Sequence, residues 1–517
     1  MIITIAVIYL GLMLGIGYWA NKRMKSSKEF LVAGQSLGFF VMAIASFSSI
    51  QSGWGMMGMA GSTSTWGIGA ILAGAFLAPF GFALTWFLLG GKLRVIAHRH
   101  QAYSVPDLVR VRYQKKSAQL WMAIAMIIGS IGYMTAQVVA AGFITMLLLG
   151  LPFELSLVIG AGIVAAYTVA GGMLAAIWTD LIQGLIMIAM SIVVFFVAMN
   201  LGGGWNATID TLWQADSDFI ALDGVQPAVW VVANTIMIGV GMIGQPQLVH
   251  KFLMLRSPRE LKWGATVAAI GYGITTLFSL GVGLAARNQI EIGGVEEYSD
   301  PDNTAPLFLV EFTTPLLAAF ALTALLAAIM SSASSFITIG ASAATRDLMG
   351  GLGITLKREL TWNRIASAVV TFAAVAVALF LDQIIYLLGA IGWAAFAGAI
   401  MGPIVLGLYW RKGTSTGALA AIIGSLGLNV FITVAPRIFD WWQPPAQFFP
   451  GFSVIVSGVV LYVVVSLLTQ SAADQEKYEN LYRTPAPVSA SAAAIAEHIP
   501  SAGADRTSRS TTQKEDQ

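Results

Sequence analysis

Ile44-Ala-Ser46-Phe-Ser48-Ser49-Ile-Gln51-Ser52-Gly53-Trp54-Gly55 breaks an otherwise apolar run with hydroxyls, an amide and two glycines. Far downstream, Ile238-Gly239-Val-Gly241-Met-Ile-Gly244-Gln245-Pro246 breaks a second one. Irregular backbone at membrane depth is tolerated only where it lines a cavity or is buried in protein. The two breaks fall in the second and seventh of about thirteen apolar segments, which are matching places in two consecutive blocks of five. That pattern predicts inverted repeats, spans 2–6 and 7–11, with a binding site where the breaks meet. Freed carbonyls there become cation ligands, and half-helix N-termini can face an anionic or dipolar solute. The competing reading is that the glycines pack helices and Pro246 kinks one, and the matched positions speak against it.

The rest of the chain fits that frame. It has 517 residues, 57% hydrophobic and 10% charged, with no cysteine, and a mean hydropathy of +0.77. This is the composition of a polytopic membrane protein. Disulfides, thiolate metal sites and cysteine nucleophiles are excluded. The spans are expected at about 2–20, 38–60, 66–90, 118–149, 153–176, 181–200, 227–246, 263–285, 315–343, 363–383, 385–409, 415–436 and 451–469. Threading these segments back and forth segregates the charges. Lys22 to Lys28, Lys92 to Lys116, Lys251 to Lys262, Arg346 to Arg358, and Arg411 with Lys412 share one side. The other side carries the acidic stretches 202–224 and 288–303. The positive-inside rule makes the basic side cytoplasmic, the N-terminus external and the C-terminus internal.

The expected organisation is a first helix and loop at 1–37, a first repeat at 38–200, a second repeat at 201–409, two additional spans at 410–470 and a disordered cytoplasmic tail at 471–517. The tail is rich in Ala, Ser, Thr and charge, a composition that cannot bury a core. The basic loop 91–119 reads as a solvated face near anionic lipid. A cell-membrane, multi-pass location is expected. A net charge of +2 gives no ground for a nucleic-acid partner, and the oligomeric state is not legible.

Four hydroxyls crowd into Ala327-Ala-Ile-Met-Ser331-Ser332-Ala-Ser334-Ser335. Residues three and four apart share a helix face, so Ala328, Ser331 and Ser332 form one cluster and Ser331, Ser334 and Ser335 another beside it. Either the clusters are cation sites, or the small residues allow close helix approach and the serines bond their own backbone. Asp180, in Trp178-Thr179-Asp180, is an intramembrane acid and so a functional candidate. It also suits a helix N-cap at the start of the sixth span. Beside hydroxyls, it would give a hard monovalent cation the charge that serine lacks. Gln137, with Tyr133, either faces the cavity or holds a neighbouring helix.

Several motifs are similar to those of the sodium:solute symporter family. They are Phe30-Leu-Val-Ala-Gly34-Gln-Ser-Leu37-Gly38, Ser52-Gly53-Trp54, Gly171-Gly172 through Trp178-Thr179-Asp180 to Gln183, Gly244-Gln245-Pro246, and Ala327-Ala328 through Met330-Ser331-Ser332. The resemblance covers about residues 5–470, and the topology looks most like the sodium/proline branch. It implies an all-α LeuT-type fold with a 5+5 inverted repeat that moves sodium and solute together by alternating access. The sodium site it implies takes the carbonyls of Ser48, Gln51 and Ala328 and the hydroxyls of Ser331 and Ser332. A second sodium site, found in some members, maps to Asp180, Ser331, Ser334 and Ser335.

The chain departs from the sodium/proline pattern in ways that tell against proline. Ile50 and Gln51 replace an acidic residue, Ile238 and Met242 replace aromatics, and Gln35 replaces an arginine. The solute surroundings expected are Ser52, Gly53, Trp54, Gln137, Met242 and Gln245, with Gln51 and Gln247 nearby. All are neutral, and no Lys or Arg is expected at membrane depth. A small neutral or zwitterionic solute, an amino acid, a monocarboxylate or a pantothenate-like molecule fits this set. The alternatives are proton coupling through Asp180, or a channel or sensor of the same fold. A filter-like repeat and a long signalling tail are both lacking. An enzyme is not expected, because His98, His100, His250 and His498 form neither a metal pair nor a triad.

Overall fold

The computed structural model describes residues 1–23, 38–255, 261–381, 383–439, 441–444 and 449–482, with the side chains of 20, 21, 23, 70–76, 167, 169–174 and 262 left out. The segment Phe30–Leu37, the residues Lys25, Lys28, Arg256 and Arg259, and the tail from 483 onward lie outside the described residues. The main helices are α1 (Ile2–Arg23), α2 (Phe39–Ile50), α3 (Met59–Thr85), α4 (Gly91–His100), α5 (Val105–Tyr113), α6 (Lys116–Leu149), α7 (Phe153–Leu201), α8 (Trp205–Ala215), α9 (Ala228–Gly241), α10 (Pro246–Met254) and α11 (Leu261–Glu291). They continue with α12 (Thr304–Phe312), α13 (Pro315–Ser342), α14 (Glu359–Leu381), α15 (Ile385–Ile400), α16 (Ser415–Ile438), α17 (Pro450–Leu468) and α18 (Ala472–Tyr482). Among the described residues, eleven helical stretches are long and apolar enough to cross a membrane, and two shorter apolar ones, α2 and the first part of α7 (Phe153–Ala166), stand where the remaining two spans are expected.

Local chemistry sets many of the ends. Thr314 and Thr414 accept the N–H groups of Leu317 and Gly417 at the starts of α13 and α16, satisfying donors that a helix N-terminus leaves free. Gly150 takes a left-handed conformation with φ 64° to close α6, as glycine does at helix C-termini. Gly67, with φ 81°, bends α3 where a Cβ would lie 2.4 Å from the Phe219 carbonyl oxygen.

Both expected interruptions are present, and they share a conformation. α2 ends at Ile50, Gln51 is extended (φ −67°, ψ 126°), and helix resumes through a wide π turn at Trp54–Gly58. α9 ends at Gly241, a 3₁₀ turn covers Met242–Gly244, Gln245 is extended (φ −85°, ψ 121°), and α10 starts on Pro246. Proline excludes the preceding residue from helical geometry and suits the first helical position.

Four expectations need correction. Residues 91–113, read as a solvated loop, form α4 and α5, in which Arg94 and Arg112 are buried. The Arg112 guanidinium donates to the carbonyls of Gly407, Trp410 and Gly413, so the basic residues tie this cap together as well as meeting solvent. The tail is not wholly irregular: α18 packs with Leu481 buried, His100 meets the Leu481 carbonyl at 3.1 Å, and Arg411 pairs with Glu479. Aromatic and ionic contacts supply what composition alone could not reveal. Asp180 is inside α7, which is helical from 153 to 201, and is therefore not a helix N-cap. Lys251, placed by sequence on the basic cytoplasmic side, and its neighbour His250 are buried within α10, because the apolar pattern Leu248, Val249, Phe252, Leu253 extends the helix past them.

Candidate functional site

The break after α2 redirects two backbone donors. In an unbroken helix the N–H groups of Gly53 and Gly55 would go to the carbonyls of Ser49 and Gln51, four residues back. Here the Gly53 N–H goes to Gln137 Oε1 (3.0 Å) and the Gly55 N–H to Ser52 Oγ (3.2 Å). The carbonyls left over turn to the serines of α13. Ser331 Oγ donates to the carbonyls of Ser48 (2.8 Å) and Ala328 (3.1 Å), and Ser332 Oγ to those of Gln51 (2.9 Å) and Ser49 (3.2 Å). All of these residues are buried.

The structure thus brings Ser48, Gln51, Ala328, Ser331 and Ser332 into one cluster of carbonyl and hydroxyl oxygens. Hydroxyls can rotate their hydrogens away and present lone pairs, so the cluster offers a hard cation five neutral oxygens of the kind such ions take. Side-chain-only metal chemistry is not offered: among the described residues no group of three or more His, Cys, Asp or Glu converges.

The second serine cluster is arranged differently. Ser334 Oγ donates to the Ser331 carbonyl of its own helix (3.0 Å). Ser335 is buried on the same helix. Among the described residues no hydrogen bond joins either to Asp180, whose Oδ2 instead receives the Lys251 ammonium at 2.8 Å. That ammonium also donates to Ser49 Oγ (2.7 Å) and to the Ala45 carbonyl. Lys251 and Asp180 are 3% and 0% exposed. Lys251, expected with the basic cytoplasmic segments, is thus enclosed among the helices instead. Positive charge near a span end is read as cytoplasmic by rule, and only packing shows that this one is enclosed. The signal available in sequence was the uninterrupted apolar pattern of α10 on both sides of it.

The expected solute residues gather around the breaks. Ser52 Oγ meets Tyr133 OH at 3.1 Å. The Trp54 ring lies 6.0 Å from Tyr133 in edge-on contact, 5.9 Å from Tyr386 and 5.1 Å from Trp393. Gln245 Nε2 donates to the carbonyls of Gly241 (3.1 Å) and Trp393 (3.2 Å), and Met242 is fully buried beside it. Trp393 of α15 therefore links the two breaks. Neither Trp393 nor Tyr386 has any sequence signal beyond being aromatic in an apolar span. Gly53 must be small: a Cβ there would stand 2.7 Å from Ala140 Cβ and 3.0 Å from Ile329 Cγ1. Several buried polar atoms in this region have no protein partner, namely Trp54 Nε1, Gln137 Nε2, Gln51 Oε1, Gln245 Oε1 and both polar atoms of the Gln247 side chain. Buried polar groups are normally satisfied, so such a collection is one that a ligand or water would complete.

The sodium:solute symporter family model matches residues 30–425. The high-affinity proline transporter PutP of Bacillus subtilis (strain 168) is 29% identical over 477 residues, 89% of this chain and 96% of its own length. The sodium/proline symporter of Escherichia coli (strain K12) is 29% identical over 502 residues, covering 92% and 95%. A solved Na+-coupled sialic acid symporter, in a substrate-bound outward-open state, superimposes with a TM-score of 0.72 at 19% identity, over 90% of this chain and 98% of that one. The likeness to it is one of fold, the LeuT-type arrangement with two broken helices. With the match spanning most of its length, this chain belongs to the sodium:solute symporter family.

Proposed function

We propose that this protein is a sodium-coupled symporter that imports a small neutral or zwitterionic organic solute by alternating access. One observation carries the reading: Ser331 and Ser332 of α13 reach across to carbonyls that the break after α2 has released. Sodium bound among Ser48, Gln51, Ala328, Ser331 and Ser332 would fasten α2 to α13. Its departure would leave only hydrogen bonds between them, which is how ion binding can bias one arrangement of packed helices over another. The solute occupies the neighbouring region of Ser52, Gly53, Trp54, Gln137, Met242 and Gln245. The unpartnered amides and the Trp54 N–H supply donors and acceptors without net charge, and the aromatic rings supply an apolar wall.

The named relatives transport proline, so small zwitterions of that size are the first solutes to test. The replacements Gln51, Ile238 and Met242 direct the screen beyond proline. The two repeats, 38–200 and 201–409, are the moving frame, flanked by 1–37 and 410–470. The basic segments face the cytoplasm, with the N-terminus outside.

The test is uptake into proteoliposomes under an inward sodium gradient, across a panel of amino acids, betaines and monocarboxylates. Accumulation that collapses when sodium is equal on both sides is expected. Uptake that follows a pH gradient and ignores sodium would overturn the coupling. Because the chain has no cysteine, single cysteines placed near each end and labelled in intact cells test the orientation.

A further inference from the structure

Lys251 of α10 makes three contacts that use all three donors of an ammonium group: Asp180 Oδ2 on α7 at 2.8 Å, Ser49 Oγ on α2 at 2.7 Å, and the Ala45 carbonyl on α2. A carboxylate from α7 with a hydroxyl and a carbonyl from α2 are the ligand types a sodium ion would take at this position. The tethered ammonium has them already. Asp180 Oδ1 is buried and unpartnered, so the carboxylate keeps one free oxygen, but its charge is matched by a cation that cannot leave. Of the hydroxyls that would complete a second sodium site, that of Ser334 bonds its own helix and that of Ser331 the Ser48 carbonyl, not the carboxylate.

The position is also close to the first cluster. Gly184, one helical turn beyond Asp180, packs so tightly on α2 that a Cβ would lie 2.8 Å from Ile44 Cγ2 and 3.2 Å from Ser48 Cβ. Ser49 receives the ammonium through its hydroxyl, while its carbonyl receives Ser332. One end of α2 is thus held on two sides, by an exchangeable ion site toward α13 and by a permanent cation toward α7 and α10. A second mobile cation beside Asp180 would meet like charge at short range in a poorly screened interior, where such repulsion is strong.

We propose that the Lys251 ammonium stands in the place of a second sodium ion at Asp180, so that one sodium ion, bound at the Ser331 and Ser332 cluster, accompanies each transport cycle. This rests on the sodium-coupled reading above. Lys251 then acts as a positioning residue: it joins the half-helix after one break to the half-helix before the other, and to α7, throughout the cycle.

Equilibrium binding of radioactive sodium to the purified full chain tests this without knowledge of the solute. The wild type is expected to bind one ion per chain, with affinity weakened on the order of 10- to 100-fold in Ser332→Ala and retained in Asp180→Asn. Lys251→Met, which keeps the length of the side chain and removes the charge, is expected to bind two, and Lys251→Met with Asp180→Asn to return to one. Two ions bound by the wild type would overturn the proposal and leave sodium coupling standing. One ion that depends on Asp180 and not on Ser332 would overturn it as well. No sodium binding at all would overturn the underlying coupling. If Lys251→Met does not fold, the wild-type count with its dependence on Ser332 and Asp180 decides alone; a folded Lys251→Met that still binds one ion refutes the tethered cation.

Discussion

Replacing Ser332 by Ala removes one of the five oxygens clustered between α2 and α13, and with it the hydroxyl bonds to Gln51 (2.9 Å) and Ser49 (3.2 Å). Two separate consequences follow, and they can be measured apart. An interaction with a charged partner contributes about 1.5–3 kcal/mol. At tenfold per about 1.4 kcal/mol, the loss should weaken sodium binding on the order of 10- to 100-fold. Without sodium, two buried carbonyls lose a donor, costing about 1–3 kcal/mol of stability. Melting temperature against sodium concentration reports both, because an ion that binds only the folded state raises stability in proportion to ln(1 + [Na+]/Kd). The zero-sodium melting point gives the structural cost, and the concentration at which the curve begins to rise gives the affinity. Ser332→Thr keeps the hydroxyl and should retain sodium dependence. Ser334→Ala removes a hydroxyl that bonds only to its own helix and should leave the sodium midpoint in place. A folded Ser332→Ala whose sodium midpoint stays within about twofold of wild type would refute ligation at this cluster.

Gln137→Leu deprives the Gly53 N–H of its acceptor. The solute concentration for half-maximal uptake should rise, by the equivalent of about 1–3 kcal/mol for an unmet buried donor, while the sodium midpoint changes little; equal shifts in both would show that the amide serves the ion site. Gly53→Ala places a methyl group 2.7 Å from Ala140 Cβ, so a stability loss of about 1–3 kcal/mol from overpacking and defective transport are expected, read by thermal melting and uptake. On the side opposite the basic cap, the Asp302 carboxylate receives the Ile385 N–H at 2.7 Å and so caps α15 from a distant loop. Burial pushes that carboxyl up from 3.8 to about 8. The unfolded chain therefore gives up this proton at lower pH than the folded one, and the contribution to stability is full below about pH 4 and declines as pH rises toward 8. Asp302→Asn keeps the acceptor and should flatten the decline in melting temperature between those limits; an unchanged slope would assign it to other groups.

Periodicity, hydropathy and charge are properties of the chain itself. They were enough to give the thirteen apolar segments, the two breaks and their matched places in the repeats, because a bilayer rewards length and apolarity and penalises unpaired backbone. The cluster at Ser331 and Ser332 was legible for a related reason: helical spacing puts the two hydroxyls and Ala328 on one face, and the family motif supplied their partners in α2. What spacing could not give is the direction of a side chain across helices far apart in sequence. Gly53 and Gln137, Gln245 and Trp393, and Asp180 and Lys251 meet only once the helices pack. Lys251 is the clearest case. Its charge placed it with the cytoplasmic loops, yet a buried carboxylate, a hydroxyl and a carbonyl surround it. A lysine can be enclosed in this way only if a paired acid and further oxygens offset the loss of water. Whether those oxygens are present is a fact about tertiary structure. The sequence by itself determined where the two helices break and where the serines crowd; the tertiary structure decided that Ser331 and Ser332 reach the carbonyls released in α2 and that Lys251, not a serine of the second cluster, meets Asp180, because such contacts are set by how helices far apart in sequence pack.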